Sequence, residues 1–179
     1  HQRFEKKLSN FLKVKNVSLF SNGTMALLLG IKALGLKGEI ITTPYSFVAT
    51  THVISWNGLK PVFCDIDENT LNISPKNIEP LINEKTSAIL ATNVYGRPCD
   101  FDLIEKIADK YNLKIIYDSA HAFGVEDEKQ SILNYGDLSI LSFHGTKVFT
   151  TFEGGAVVSK NKKIKDKLDK LKNFAYNGE

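Results

Sequence analysis

Lys114-Ile115-Ile116-Tyr117-Asp118 reads as a short, continuously apolar strand, and Ser119-Ala120-His121-Ala122-Phe123-Gly124 leaves its end. An apolar run without alternation belongs to a strand buried on both faces. Just before it, in residues 101–111, Phe101, Ile104, Ile107 and Ala108 share one face of a helix. Further upstream, Ala88-Ile89-Leu90-Ala91-Thr92, Lys60-Pro61-Val62-Phe63-Cys64-Asp65, Glu39-Ile40-Ile41-Thr42 and Val17-Ser18-Leu19-Phe20 repeat the strand signal. Helical patterns fall between them at residues 25–34 and 47–56, and Ser74-Pro75 opens another, with Pro at a permitted first-turn position. Phe4, Leu8, Phe11 and Leu12 fit one face of a first helix. Downstream, residues 137–142 and 156–159 are the last strands. Short strands alternating with helices predict an α/β domain whose central sheet is mainly parallel and covered by helices.

Composition bounds the function classes. The chain has 179 residues, 42% of them hydrophobic, enough for one sizeable core. Its net charge of +3 comes from interspersed signs, which is not a nucleic-acid footprint. The basic cluster of residues 160–172 carries Ile164, Leu168 and Leu171 at helical spacing, and reads as a surface helix with a solvated lysine face. Cys64 and Cys99 are far apart and in no CxxC pattern, which argues against a disulfide scaffold or a structural zinc site. No metal, membrane or nucleic-acid partner is expected. No run is apolar enough to span a membrane and no signal peptide opens the chain, so a cytoplasmic protein is the default expectation. The start reads as mid-helix without Met and residues 173–179 end in a loop, as expected of a fragment.

Two stretches carry chemistry. Ser142-Phe143-His144-Gly145-Thr146-Lys147 follows the apolar run Leu138-Ser139-Ile140-Leu141 and precedes Glu153-Gly154-Gly155-Ala156. A lysine at the rim of a sheet among uncharged neighbours suits nucleophilic attack on a carbonyl, although a single lysine among 23 basic residues is, judged alone, an ordinary surface one. Ser21-Asn22-Gly23-Thr24 lies between a strand and a helix N-terminus. Its backbone N–H groups and the helix dipole favour a phosphate, while the simpler reading is an N-cap. In parallel sheets, ligands sit at the carboxyl ends of the strands. Residues 21–24, 45–47, 118–121 and 142–147 should therefore converge on one cleft.

Such a cleft would hold a phosphate seat (Gly23, Thr24, Ser142), a carboxylate (Asp118), an aromatic face (Phe47), an imidazole (His121) and an amine (Lys147). Pyridoxal phosphate needs these groups: a lysine for its aldehyde, an acid for its pyridine nitrogen, a flat neighbour and a helix N-terminus. Each residue has a structural alternative, as a strand-end cap, a core side chain or a satisfied polar group. The set together is harder to explain that way.

In the same order, Ser21-Asn22-Gly23-Thr24-Met25-Ala26-Leu27, Pro44-Tyr45-Ser46-Phe47-Val48-Ala49-Thr50, Lys60-Pro61-Val62-Phe63-Cys64-Asp65-Ile66-Asp67, Tyr117-Asp118-Ser119-Ala120-His121-Ala122-Phe123-Gly124 and the Lys147 stretch with its Glu-Gly-Gly-Ala resemble the DegT/DnrJ/EryC1/StrS family of pyridoxal-phosphate-dependent nucleotide-sugar aminotransferases. The resemblance covers nearly the whole chain and implies the large, cofactor-binding domain of a three-layer fold-type I transferase, residues 1–179, without the N-terminal arm and small C-terminal domain. It implies Lys147 as the Schiff-base lysine and proton shuttle, Asp118 at the pyridine nitrogen, His121 near the phenolic oxygen, and Phe47 on the ring. Gly23, Thr24, Met25 and Ser142 would hold the phosphate and the edge beside it. An amino-acid donor, glutamate, would supply nitrogen to a nucleotide-linked keto sugar, in a homodimer, for amino-sugar and surface polysaccharide synthesis. Lys147 argues against the family's dehydratase branch, where His replaces it. Asn93, where many members carry His, and Gly145, where Ala or Pro is usual, bear on substrate choice or loop stiffness. The truncation leaves a second expectation open: a domain that binds cofactor or phosphate, or only dimerises, without turnover. A different fold-type I enzyme, such as a cysteine desulfurase-like or amino-acid aminotransferase, is the third.

Overall fold

The computed structural model describes residues 2–173; the expected terminal loop falls mostly outside them. The strands are β1 (Asn16–Phe20), β2 (Glu39–Thr42), β3 (Lys60–Phe63), β4 (Thr86–Thr92), β5 (Lys114–Asp118), β6 (Leu138–Ser142) and β7 (Gly155–Ser159). The α-helices are α1 (Gln2–Phe11), α2 (Gly23–Leu34), α3 (Val48–Trp56), α4 (Phe101–Tyr111) and α5 (Lys162–Leu171). All strands join one sheet in the order β1-β7-β6-β5-β4-β2-β3. From β3 to β6 every pairing is parallel, and β7 runs antiparallel to both β6 and β1.

Both faces of the sheet are covered, which is why its strands are continuously apolar. On one side Ile40, Leu90, Ile116, Ile140 and Val157 pack under α2, α3 and α5. On the other, Ile89, Ala91, Ile115 and Tyr117 meet Phe101, Ile104 and Ala108 of α4. Leu141, Ala156 and Val158 continue that second side under Leu8 and Leu12, at and just after α1. The register sets Asp118 beside Thr92 of β4 and Ile140 of β6, so its side chain emerges on the α2–α3 side.

Three expectations need correction. The helix expected from Ser74-Pro75 is two short 3-10 turns, Pro75–Asn77 and Glu79–Leu81. Pro80 lacks an N–H and forbids an α-turn there. Phe11 is not a core residue: it is 68% exposed and stacks on Phe123 at 5.8 Å, because α1 covers only the end of the sheet. The strand expected to reach Asp65 stops at Phe63.

β7 begins at Gly155, between Phe20 of β1 and Ser142 of β6. A Cβ on Gly155 would lie 2.5 Å from the carbonyl carbon of Asn22 and 2.7 Å from the nitrogen of Gly23. The Asn22–Gly23 turn can rest on the sheet only because that residue has no side chain. Gly155→Ala is expected to cost about 1–3 kcal/mol, since the clash is with backbone and must displace the turn. Urea unfolding of the variant checks this.

Candidate active site

The C-terminal ends of β1, β2, β4, β5 and β6 and the start of β7 share one edge of the sheet, and the segments leaving them surround a cavity of about 440 Å³. From the α2 side come Asn22, Gly23 and Thr24; from the α3 side, Ser46 and Phe47; from β5, Asp118 and His121; from β6, Ser142 and Lys147. The four predicted segments do converge. Ser21 and Met25 are turned away and line a neighbouring hollow of about 880 Å³. That larger hollow is the weaker candidate. Its acids Glu5 and Asp169 are already paired with Lys165 and Lys172, and it lacks Lys147 and His121.

Local sequence explains the phosphate seat. Asn22 is extended and caps α2, its Oδ1 accepting the Met25 N–H at 2.8 Å. The N-cap reading of this turn therefore holds. The helix begins at Gly23, two residues before the predicted start, so the N–H groups of Gly23 and Thr24 belong to its first, unpaired turn. A Cβ on Gly23 would sit 3.0 Å from Ser142 Cβ, which ties this turn against the end of β6. The buried Ser142 Oγ accepts a long bond, 3.4 Å, from the His144 N–H. Among the described residues its own proton has no acceptor, so it can turn to a ligand. Met25, by contrast, has its N–H committed to Asn22.

Asp118 is 5% exposed. Its Oδ2 accepts from the Thr50 hydroxyl at 2.8 Å and its Oδ1 from the Ala120 N–H at 3.2 Å. Burial pushes this carboxyl above its usual range, against the pull of those two donors and of the charges of His121 and Lys147. Among the described residues no cation lies within ion-pair distance of it. A buried carboxylate that faces a cavity without a cation is suited to a protonated ring nitrogen.

His121 accepts the Tyr95 N–H on Nδ1 at 3.2 Å, and the two rings stack at 5.9 Å. With Nδ1 accepting, the proton of the neutral ring lies on Nε2. Burial and the charge of Lys147 lower the His121 pKa, with Asp118 opposing them, which favours that neutral form. Tyr95 adopts a left-handed backbone (φ 52°) rare for a residue with a side chain. That conformation accompanies the placement of its N–H on the imidazole. Its hydroxyl lies 3.0 Å from that of Tyr45, so Tyr45 belongs to the rim rather than the cavity.

Lys147 sits in the turn after β6, where its N–H donates to the His144 carbonyl at 2.9 Å. The side chain is half-buried, and no carboxylate or carbonyl of the described residues holds its amine. Phe47 lines the cavity with 71% of its surface exposed, a flat face open to a ligand. Asn93 is fully buried, donating to Ser119 Oγ and accepting from the Cys99 N–H, so it stiffens the loop and does not face the cavity. Gly145 is open enough for a methyl group: among the described residues, an added Cβ would meet Phe152 O at 3.8 Å. Burial pushes the Cys64 and Cys99 thiols up to about 11 and about 12, which leaves neither a thiolate at neutral pH. Among the described residues no group of three His, Cys, Asp or Glu is placed to hold a metal, and no helix is long and apolar enough to cross a membrane.

The family model of the DegT/DnrJ/EryC1/StrS aminotransferases matches residues 1–179. The chain belongs to that family. Among curated DegT/DnrJ/EryC1/StrS relatives, a dTDP-4-amino-4,6-dideoxy-D-glucose transaminase of Shigella dysenteriae is 62% identical over 176 residues, 98% of this chain and 48% of that protein. Among solved structures, DesI in the presence of its TDP-sugar product superposes with a TM-score of 0.95 at 36% identity, covering 99% of this chain and 45% of that one. NtdA from Bacillus subtilis, with the cofactor PMP bound, gives a TM-score of 0.88 at 34% identity, over 94% and 39%. The chain thus spans about half the length of the relatives it matches. The three-layer transferase architecture expected from the sequence is the observed one.

Thr50, Ser46, Ala120 and Tyr95 are parts of the site to which sequence reasoning gave no role. Thr50 and Ser46 stand within the Pro44–Thr50 motif, but nothing local says that they face an aspartate 68 residues further on.

Proposed function

We propose that residues 1–179 are the pyridoxal-phosphate-binding large domain of a cytoplasmic, homodimeric aminotransferase. It would move an amino group from an amino acid, glutamate, to a nucleotide-linked keto-deoxy sugar for surface polysaccharide. The observation that carries this reading is the pairing across one cavity of a buried carboxylate, Asp118, with an amine, Lys147, neither of them in an ion pair among the described residues, beside a helix N-terminus. The family and the names of the relatives support the reaction class, and a dTDP-linked 4,6-dideoxy sugar is the substrate their names favour.

The residues fit the cofactor. The Gly23 and Thr24 N–H groups and the Ser142 hydroxyl would take the phosphate, with Phe47 against the ring. Met25 is left out of the set, because its N–H is already used. When bound, pyridoxal phosphate supplies an aldehyde for an amine and a ring that accepts the electron pair of a broken C–H bond. Asp118 would hold the proton on the ring nitrogen. His121 Nε2–H would donate to the phenolic oxygen. The Lys147 amine would meet that aldehyde, and it is placed to hold and move a proton at the reacting carbons. The rim aromatics Phe47, Tyr45 and Tyr95 would shield the ring from water.

The test is to add pyridoxal phosphate to the chain, record the visible spectrum, reduce with borohydride and map the labelled peptide. The expected result is a yellow protein labelled on Lys147. A folded chain that stays colourless and unlabelled overturns the reading for this chain. A coloured chain that transfers no amino group would instead support the second reading, a binding domain without turnover, which the half-length coverage of the relatives favours.

A further inference from the structure

We infer that Thr50 is a positioning residue that, with Ser46 and Thr92 behind it, holds Asp118 as an oriented carboxylate facing the cavity. Three hydroxyls form a line: Thr92 Oγ1 lies 3.1 Å from Ser46 Oγ, Ser46 Oγ lies 2.7 Å from Thr50 Oγ1, and Thr50 Oγ1 lies 2.8 Å from Asp118 Oδ2. Each hydroxyl has one proton to give. An ionised carboxylate only accepts, so Thr50 spends its proton on Asp118. Thr50 must then accept from Ser46, and Ser46 from Thr92. The direction of the whole line follows from the charge at its end.

The geometry is built rather than incidental. Thr50 lies in the first turn of α3 and Ser46 just before its N-cap, Phe47, which makes no side-chain capping bond. Thr50, Thr92 and Asp118 are all buried. The Ala120 N–H fixes the other carboxylate oxygen, so two donors on two oxygens set the plane of the group. Among the described residues, the charges that reach Asp118 are His121, from the segment after β5, and Lys147, from the turn after β6. The face of α3 turned toward it offers Thr50, and β4 offers Thr92, neither of them charged. Hydroxyl donors are thus what α3 and β4 contribute to keeping this group ionised in a dry site. The inference rests on the reading of Asp118 as the partner of the cofactor's ring nitrogen.

The test uses Thr50→Val, which keeps the shape and removes the hydroxyl, Thr50→Ser, which keeps the hydroxyl, and Ser46→Ala. The Asp118 carboxyl is followed by carbon NMR of aspartate-labelled, cofactor-free chain across a pH titration. After pyridoxal phosphate is added, the pH dependence of its visible band is recorded. Loss of a charge-assisted hydrogen bond predicts that Thr50→Val raises the carboxyl midpoint by about one pH unit or more. Thr50→Ser should restore it, and Ser46→Ala should shift it the same way by less. The visible band should follow the same ranking. A Thr50→Val midpoint equal to wild type overturns the inference. So does Thr50→Ser behaving like Thr50→Val, because that would make the effect one of packing. If wild type takes up no chromophore, the cofactor reading fails on its own, and the cofactor-free titration still decides what Thr50 does.

Discussion

Replacing Lys147 with alanine is expected to abolish borohydride-fixed labelling by pyridoxal phosphate and to lower amino transfer, in whatever assembly supports it, by roughly a thousandfold or more. The half-buried side chain makes no hydrogen bond or ion pair among the described residues, so the stability of the fold should hold to within about 0.5 kcal/mol. Loss of labelling with an unchanged urea midpoint is the expected pair of results. Retained labelling, traced by peptide mapping to another lysine, would remove Lys147 from the mechanism. A rate restored by a small added amine would locate the defect in the missing proton carrier.

Asp118→Asn should act in opposite directions on stability and on function. Burial raises the folded-state pKa of Asp118 above its unfolded value. A raised acid favours folding while it stays protonated, below its unfolded pKa. That contribution is lost as pH rises through the folded value, and at neutral pH the ionised group is a net cost. The amide removes the cost, so the cofactor-free variant should melt higher than wild type at neutral pH, and the difference should vanish in acid. The hydroxyl line can accommodate it, since Thr50 can turn to accept from an NH₂ where it had donated to an oxygen. Function should suffer, with transfer lowered about 10²–10³-fold, the scale for removing one fixed electrostatic partner of the reacting system. Calorimetry of the cofactor-free variant across pH gives the first result and single-turnover spectra the second. A variant less stable than wild type at pH 7 would mean that His121 and Lys147 already neutralise Asp118 without any ligand.

Both predictions rest on features with very different visibility in the sequence. The strands were legible because burial on both faces leaves them continuously apolar, as in Ala88–Ala91 and Ile115–Tyr117. The gathering of Asp118, His121, Ser142 and Lys147 around one cavity was legible because loops at the carboxyl ends of parallel strands converge. At residue 75 the start signal of Ser74-Pro75 is real, but Pro80 five residues on limits it to two short 3-10 turns. Phe11 has the helical spacing of a core residue, but spacing does not say how far a sheet extends beneath a helix. Thr50 and Tyr95 were given no role by the sequence. Their partners Asp118 and His121 lie 68 and 26 residues away, and only the sheet order joins them.

The pairing of β1 with β7 also fixes the timing of assembly. β1 spans residues 16–20, yet its only neighbour in the sheet is residues 155–159, and Gly155 is also the surface on which the Asn22–Gly23 turn rests. On the ribosome the parallel strands can pair soon after each is made, while the first strand waits for nearly all of the described chain to be synthesised. Closing so long a loop is slow, and until then an apolar strand is left without its edge. The Asn22–Gly23 turn, made well before β7, is thus among the last parts of the cavity wall to form.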